Sequence, residues 1–202
     1  MKVIIFGGGK VGRALLRSLG KKHKVTIVDQ DREMCDVLAS ESKANVICGD
    51  ATDPALLEEL KVGEADYVFA VTGSEETNFL VSVYAKHINA KKVISRASEM
   101  KYSTLMERLG VEPLVPELTL ARELANMVQN PIITLMLDPK ESDIEMVEKE
   151  VNGTMKDKNV QEVQEKNDFT IISVYHEGKF LFPSSDFQLK EGMKIVVVKH
   201  SV

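Results

Sequence analysis

Lys2-Val3-Ile4-Ile5-Phe6-Gly7-Gly8-Gly9-Lys10-Val11-Gly12 sets an uninterrupted apolar run directly against three glycines. A run without polar alternation is how a strand buried on both faces reads. Gly7, Gly9 and Gly12 satisfy G-x-G-x-x-G, and residues 11–19 carry helical spacing. Alone, that string is weak. Here a strand precedes it, a helix follows it, and Asp29 closes the next apolar run 22 residues beyond Gly7. An acidic side chain about 20 residues on is where a ribose contact falls. The spacing therefore predicts a phosphate-binding turn. Gly7 permits the tight turn, Gly9 lets backbone approach a pyrophosphate, and Gly12 lets helix and strand pack closely. The N–H groups at the helix start then point at phosphate, and Asp29 accepts from ribose hydroxyls. This is not a Walker A loop, because Lys10 is followed by Val11 rather than Ser or Thr.

Working outward, further short apolar runs fall at residues 24–28, 45–48, 66–71, 92–95 and 113–115. Helical segments separate them. Asp53-Pro54 supplies an N-cap and a first-turn proline before Leu56, Leu57 and Leu60. Ser74 starts a helix in which Leu80, Val83, Tyr84 and His87 share one spacing, and Gly110 closes another after Met106 and Leu109. Six strands alternating with helices predict an α/β fold, a Rossmann-like doubly wound parallel sheet. In such a sheet the carboxyl ends of the strands line one crevice. That adds Asp50, Ala51, Thr72, Gly73 and Arg96 to the candidate site, with the Arg96 guanidinium suited to a diphosphate.

Residues 118–128 differ. Leu118, Leu120, Ala121, Leu124, Ala125, Met127 and Val128 cover more of a helix than one sheet face buries, which predicts packing against a second body, preferably another subunit. After Asn130-Pro131 the pattern becomes a strand at 144–151, a short helix at 159–165, a hairpin of 170–175 and 179–182 about His176-Glu177-Gly178, and a strand at 194–199. The expected organisation is a nucleotide-binding domain over 1–116, a crossover helix over 117–130, and a second, smaller α+β domain over 131–202. The acidic cluster Asp138, Glu141, Asp143, Glu145, Glu148 and Glu150, interspersed with Lys140 and Lys149, reads as a solvated face.

Composition narrows the function. The 202 residues are 44% hydrophobic and 28% charged, with a net charge of −5. That balance disfavours nucleic-acid binding, which needs a basic stripe to displace counterions. No apolar run approaches the ~20 residues of a membrane span, and glycine follows the first apolar run too soon for a signal peptide. Cys35 and Cys48 make neither a disulfide framework nor a metal cluster, and read as reduced packing residues. His23, His87, His176 and His200 are scattered, so no acid or base accompanies the crevice. Binding without catalysis is expected, the alternative being an NAD-dependent oxidoreductase of unidentified substrate.

The order of motifs adds a resemblance. The F-G-G-G-K-V-G start, V-D at the second strand, C-G-D-A-T-D-P, A-V-T-G-S-E-E-T-N and I-S-R-A resemble the KTN/RCK domain of potassium-transport regulators. Gly178, Pro183, Asp186, Leu189, Glu191 and Gly192 look like the TrkA-C (RCK-C) module paired with it. The resemblance spans essentially the whole chain. It implies a cytoplasmic gating subunit that forms homo-oligomeric rings and sits at the inner membrane face through a membrane-embedded potassium transporter or channel. NAD(H), ATP or ADP would be the regulatory ligand, held by Gly7, Gly8, Gly9, Lys10, Val11, Gly12, Asp29, Asp50, Ala51, Thr72, Gly73 and Arg96. Calcium-gated relatives carry acidic residues where this chain has Arg96 and Ser98, so no such metal site is expected.

Overall fold

The computed structural model describes residues 1–98, 100–138 and 143–200. Lys140 and Glu141 of the acidic cluster lie outside the described residues. The chain divides into two units, Met1–Arg122 and Glu123–Val202.

In the first unit, strands and helices alternate as β1 (Lys2–Phe6), α1 (Lys10–Leu19), β2 (Lys24–Asp29), α2 (Arg32–Glu41), β3 (Asn45–Cys48), α3 (Pro54–Glu59), β4 (Tyr67–Ala70), α4 (Glu75–His87), β5 (Lys92–Arg96), α5 (Met100–Arg108) and β6 (Glu112–Leu114). All six strands are parallel in the order β3-β2-β1-β4-β5-β6. The order reverses beside β1, where β2 lies on one side and β4 on the other, and a crevice opens at the carboxyl ends of that junction. Val3, Ile4, Ile5 and Phe6 of β1 are fully buried, consistent with a central strand covered on both faces. One apolar cluster lies on each side: Ile4, Phe6, Val68 and Val93 with Val81 and Met106, and Val3, Ile5 and Ile27 with Leu16 and Leu38. Pro113 lies in β6, an edge strand, where its missing N–H breaks no ladder.

At the opposite end of the sheet, Asp66 holds the strand starts together. Its carboxylate accepts from the Lys2 backbone N–H at 2.8 Å and from Lys91 Nζ at 2.6 Å. The Lys91 hydrogen bond, followed by that of Lys2, holds the Asp66 carboxyl below its ordinary value.

The buried face of α4 is not the one its apolar spacing suggests. Asn78, Val81, Ser82 and Ala85 turn inward, whereas Leu80 is 55% exposed and His87 lies at the surface. Small side chains let the helix approach the sheet closely, and the buried polar ones find partners: Ser82 Oγ donates to the Asn78 carbonyl at 2.6 Å.

The division between units falls inside α6 (Pro116–Gln129), and Asn130-Pro131 begins a further short helix, α7 (Pro131–Leu137), with proline in its first turn. The Asn130-Pro131 pair thus ends one helix and opens another, an element that the sequence pattern between 131 and 144 does not name. The remaining elements are β7 (Ile144–Glu150), α8 (Val160–Glu165), β8 (Thr170–His176), β9 (Lys179–Leu181) and β10 (Lys194–His200), forming an antiparallel sheet in the order β7-β10-β8-β9. Val151, Val160, Val163, Val174, Leu189, Ile195 and Val197 make its core. Asn159 and Glu162 close a reciprocal capping box on α8.

Candidate functional site

The crevice is a cavity of about 710 Å³ wholly within the first unit. Ten of the twelve residues singled out in the sequence line it: Gly7, Gly9, Lys10, Val11, Asp29, Asp50, Ala51, Thr72, Gly73 and Arg96. Gly8 and Gly12 stand behind the wall, and their neighbours say why they are glycines. A Cβ at Gly12 would overlap the Gly7 carbonyl oxygen, so the α1–β1 packing forbids one. A Cβ at Gly8 would meet Leu38 Cδ1 at 2.7 Å and Met34 Cγ at 2.9 Å. Gly7 adopts φ +109°, open to glycine alone, and its amide still donates to the Val28 carbonyl. Gly9 is different: a Cβ there meets nothing within 4 Å, because the position faces the open cavity.

The helix starts around the crevice are not equivalent. Asp31, Asp53 and Ser74 cap α2, α3 and α4 with side-chain oxygens that accept from backbone amides. The N-cap of α1 is Gly9, with no side-chain cap and no acidic residue in the first turn. Its first amides therefore remain free to donate into the cavity, at the positive end of the helix dipole.

On the other wall, Asp29 does more than the spacing suggested. Oδ2 accepts from the Gly8 amide at 2.6 Å and Oδ1 from the Asp31 amide at 2.9 Å. The carboxylate thus ties the glycine loop to the end of β2. Each oxygen keeps a second lone pair for a ligand hydroxyl. Asp50 accepts from the Thr52 amide and hydroxyl, both at 2.8 Å, and those bonds hold its carboxyl below the ordinary value. It forms a loop brace at the cavity edge.

Asn78 was not singled out, although it closes the A-V-T-G-S-E-E-T-N stretch. It is 1% exposed and makes four contacts at the carboxyl ends of β4 and β5. Its Oδ1 accepts from the Thr72 amide at 2.8 Å and the Thr72 hydroxyl at 2.7 Å. Its Nδ2 donates to the carbonyls of Thr72 at 3.2 Å and Arg96 at 3.4 Å. The usable signal was its position one helical turn after the Ser74 cap, where a polar side chain faces back toward the preceding loop. Arg96, the last residue of β5, and Lys10, the first of α1, line the cavity, and no side-chain hydrogen bond or ion pair engages the guanidinium or the ammonium among the described residues.

The arrangement offers free amides and two cations for an anionic group on one side, and an anchored carboxylate for hydroxyls on the other. It contains no histidine, cysteine or tyrosine among its described lining residues.

Comparison with known proteins bears on the family and the fold. Residues 3–116 match the family model for the TrkA-N domain. The chain is 30% identical over 201 residues to a Trk system potassium uptake protein TrkA homolog of Methanothermobacter thermautotrophicus, covering 98% of this chain and 93% of that one. A protein of the same name from Archaeoglobus fulgidus is 31% identical over 205 residues, again across 98% of this chain, but the match spans only 47% of its length. Structures of the GsuK channel bound to NAD and to ADP share the fold, at 20% and 21% identity and a TM-score of 0.54 each. They cover 99% and 62% of this chain, and 37% and 34% of the respective channel chains.

Proposed function

Since this chain belongs to the TrkA-N domain family, we propose that it is a nucleotide-binding regulatory subunit of a potassium uptake transporter or channel. NAD(H) or an adenine nucleotide such as ADP or ATP occupies the crevice, its phosphates on the amides of α1 and on Arg96, its ribose on Asp29. The observation that carries this reading is the uncapped start of α1 facing an anchored Asp29 across one cavity. The names of the relatives, Trk system potassium uptake proteins, and the NAD and ADP of the similar channel support the same assignment. No described helix is long and apolar enough to cross a membrane. In this reading, which the names of the relatives support, the partner is a separate membrane protein, and the subunit works in the cytoplasm at the inner membrane face as a homo-oligomer. Ligands act by preferring one arrangement of the assembly, and they shift it only by their difference in affinity for the two states. The cavity's three carboxylates, Asp29, Asp31 and Asp50, each accept from backbone amides and serve as loop and cap braces, which supports binding rather than catalysis.

The test is calorimetric titration with NAD+, NADH, ADP, ATP and AMP on the wild type and on Gly9→Ala and Arg96→Ala. Asp29→Ala is the poorer variant, because it also releases Gly8 and Asp31. Arg96→Ala is expected to weaken a diphosphate ligand about tenfold or more, the value of a charge-assisted hydrogen bond. Failure of every nucleotide to bind the wild type would sink the assignment.

A further inference from the structure

The chain has two cysteines, and the fold brings both to the turn on the ribose side of the crevice. Cys48 ends β3 in register with Asp29 of β2, and Cys35 lies in α2, four residues after its Asp31 cap. The Cys35 thiol donates to the Asp29 carbonyl at 3.3 Å, while the Cys48 thiol reaches the Gln30 carbonyl at 3.9 Å. The Cys35 sulfur also lies 3.9 Å from the carbonyl of Ile47, the residue before Cys48, so both thiols sit at one corner between β2, β3 and α2, and Cys48 acts on Cys35 electrostatically. Cys35 is buried, as a packing residue would be; Cys48 is exposed, which packing does not explain. Burial, then the hydrogen bond and charge of Cys48, push the Cys35 thiol up to about 12. The pair is thus asymmetric: an accessible thiol that can react, and a protonated one held beside it.

We propose that Cys35 and Cys48 form a reversible dithiol–disulfide site coupled to occupancy of the adjacent crevice. The coupling half of this inference rests on the nucleotide assignment above; the covalent half does not. The oxidant is a low-molecular-weight disulfide. The Cys48 thiolate, its proton given to water, attacks one sulfur of that disulfide; a bond forms to Cys48, the S–S bond of the reagent breaks, and a thiolate leaves and takes up a proton. Cys48 then carries no thiol and no charge to set against Cys35, so two of the causes that keep Cys35 protonated disappear. Cys35 loses its proton to water and its sulfur attacks Cys48 Sγ, expelling the second thiolate, which is protonated in turn. Two protein thiols are oxidised to one disulfide, and one small disulfide is reduced to two thiols. The new bond requires sulfurs about 2.05 Å apart. Closing it draws Cys35 Sγ from the Asp29 carbonyl, on the residue whose carboxylate holds Gly8. The ribose wall and the glycine loop move with it, and by linkage a ligand that needs them in place must oppose closure.

The experiment equilibrates the full chain in graded ratios of reduced and oxidised glutathione, reads intact mass, and titrates NAD+ and ADP into the reduced and oxidised forms. Wild type is expected to lose two hydrogen atoms. Cys35→Ala should stop at a glutathione adduct on Cys48, and Cys48→Ser, a surface change that spares the core, should form no intrachain bond. Affinity for the better nucleotide should differ between the two forms by at least about fivefold, the low end of ordinary coupling. A wild type that never loses the two hydrogens, or that stays a glutathione adduct at every ratio, overturns the site. Closure with unchanged affinity overturns the coupling. If the reduced chain binds no nucleotide, the crevice assignment and the coupling fall together, and mass alone decides the disulfide.

Discussion

Gly9 and Gly12 stand three residues apart in one loop, yet a methyl group has opposite consequences at the two. At Gly12 it would overlap the Gly7 carbonyl, and Gly12→Ala is expected to lower stability by about 2–3 kcal/mol, an overpacking penalty read in urea unfolding. At Gly9 the methyl would stand in empty space, so Gly9→Ala should leave stability within about 0.5 kcal/mol of wild type. Its effect should appear only in titration, as lost nucleotide affinity. A Gly9→Ala protein that binds as tightly as wild type would remove the phosphate from the loop. The sequence made these roles legible because glycine spacing encodes backbone geometry. It left the clamp from Asp29 to Gly8 unread, because a hydrogen bond across 21 residues needs the register of two strands before it can be seen.

At the scale of single elements, α4 shows where pattern reading fails. Its apolar residues Leu80, Val83 and Tyr84 suggested one inward face, but close approach to the sheet favours Ser82 and Ala85, a neighbouring stripe that carries less apolar signal. The same stripe carries Asn78. Asn78→Ala leaves the Thr72 amide without its acceptor, the hydroxyl keeping the Ser74 carbonyl at 3.0 Å, and is expected to cost about 1–3 kcal/mol in chemical denaturation. Nucleotide affinity should fall as well, since Thr72 and Arg96 both line the crevice. At the strand starts, the Lys91 hydrogen bond and then that of Lys2 hold the Asp66 carboxyl below its ordinary value. The unfolded chain therefore takes up this proton more readily. The stabilisation is complete above the ordinary carboxylate value and is lost as pH falls through the lowered native one. Asp66→Asn should flatten the acid limb of a melting temperature against pH curve; an unchanged slope would show the contact contributes nothing.

For the whole molecule, the notable surface is the apolar one on α6 and α7. No residue of either helix is buried; Val128 is 82% exposed and Ile132 79%. Apolar surface of that extent suits a contact with a second copy of the chain, as the proposed homo-oligomer requires. Leu124→Glu is expected to lower the sedimenting mass while leaving nucleotide binding by the first unit intact, and a wild type that sediments as a monomer at micromolar concentration would refute an oligomer built on this face. The excess apolar width of residues 118–128 was readable from sequence; α7 was not, because Asn130-Pro131 signals the end of one helix and the start of another equally well. The first unit's sheet also has two chemically different fastenings. Its strand starts are held by Asp66, a group that acid can neutralise, and the β4–β5 edge of the crevice by Asn78, an amide with no proton to gain. Disassembly thus has a direction written into it: acidification should loosen the strand starts that Asp66 holds, while the β4–β5 edge of the crevice, fastened by an amide, keeps its shape longest.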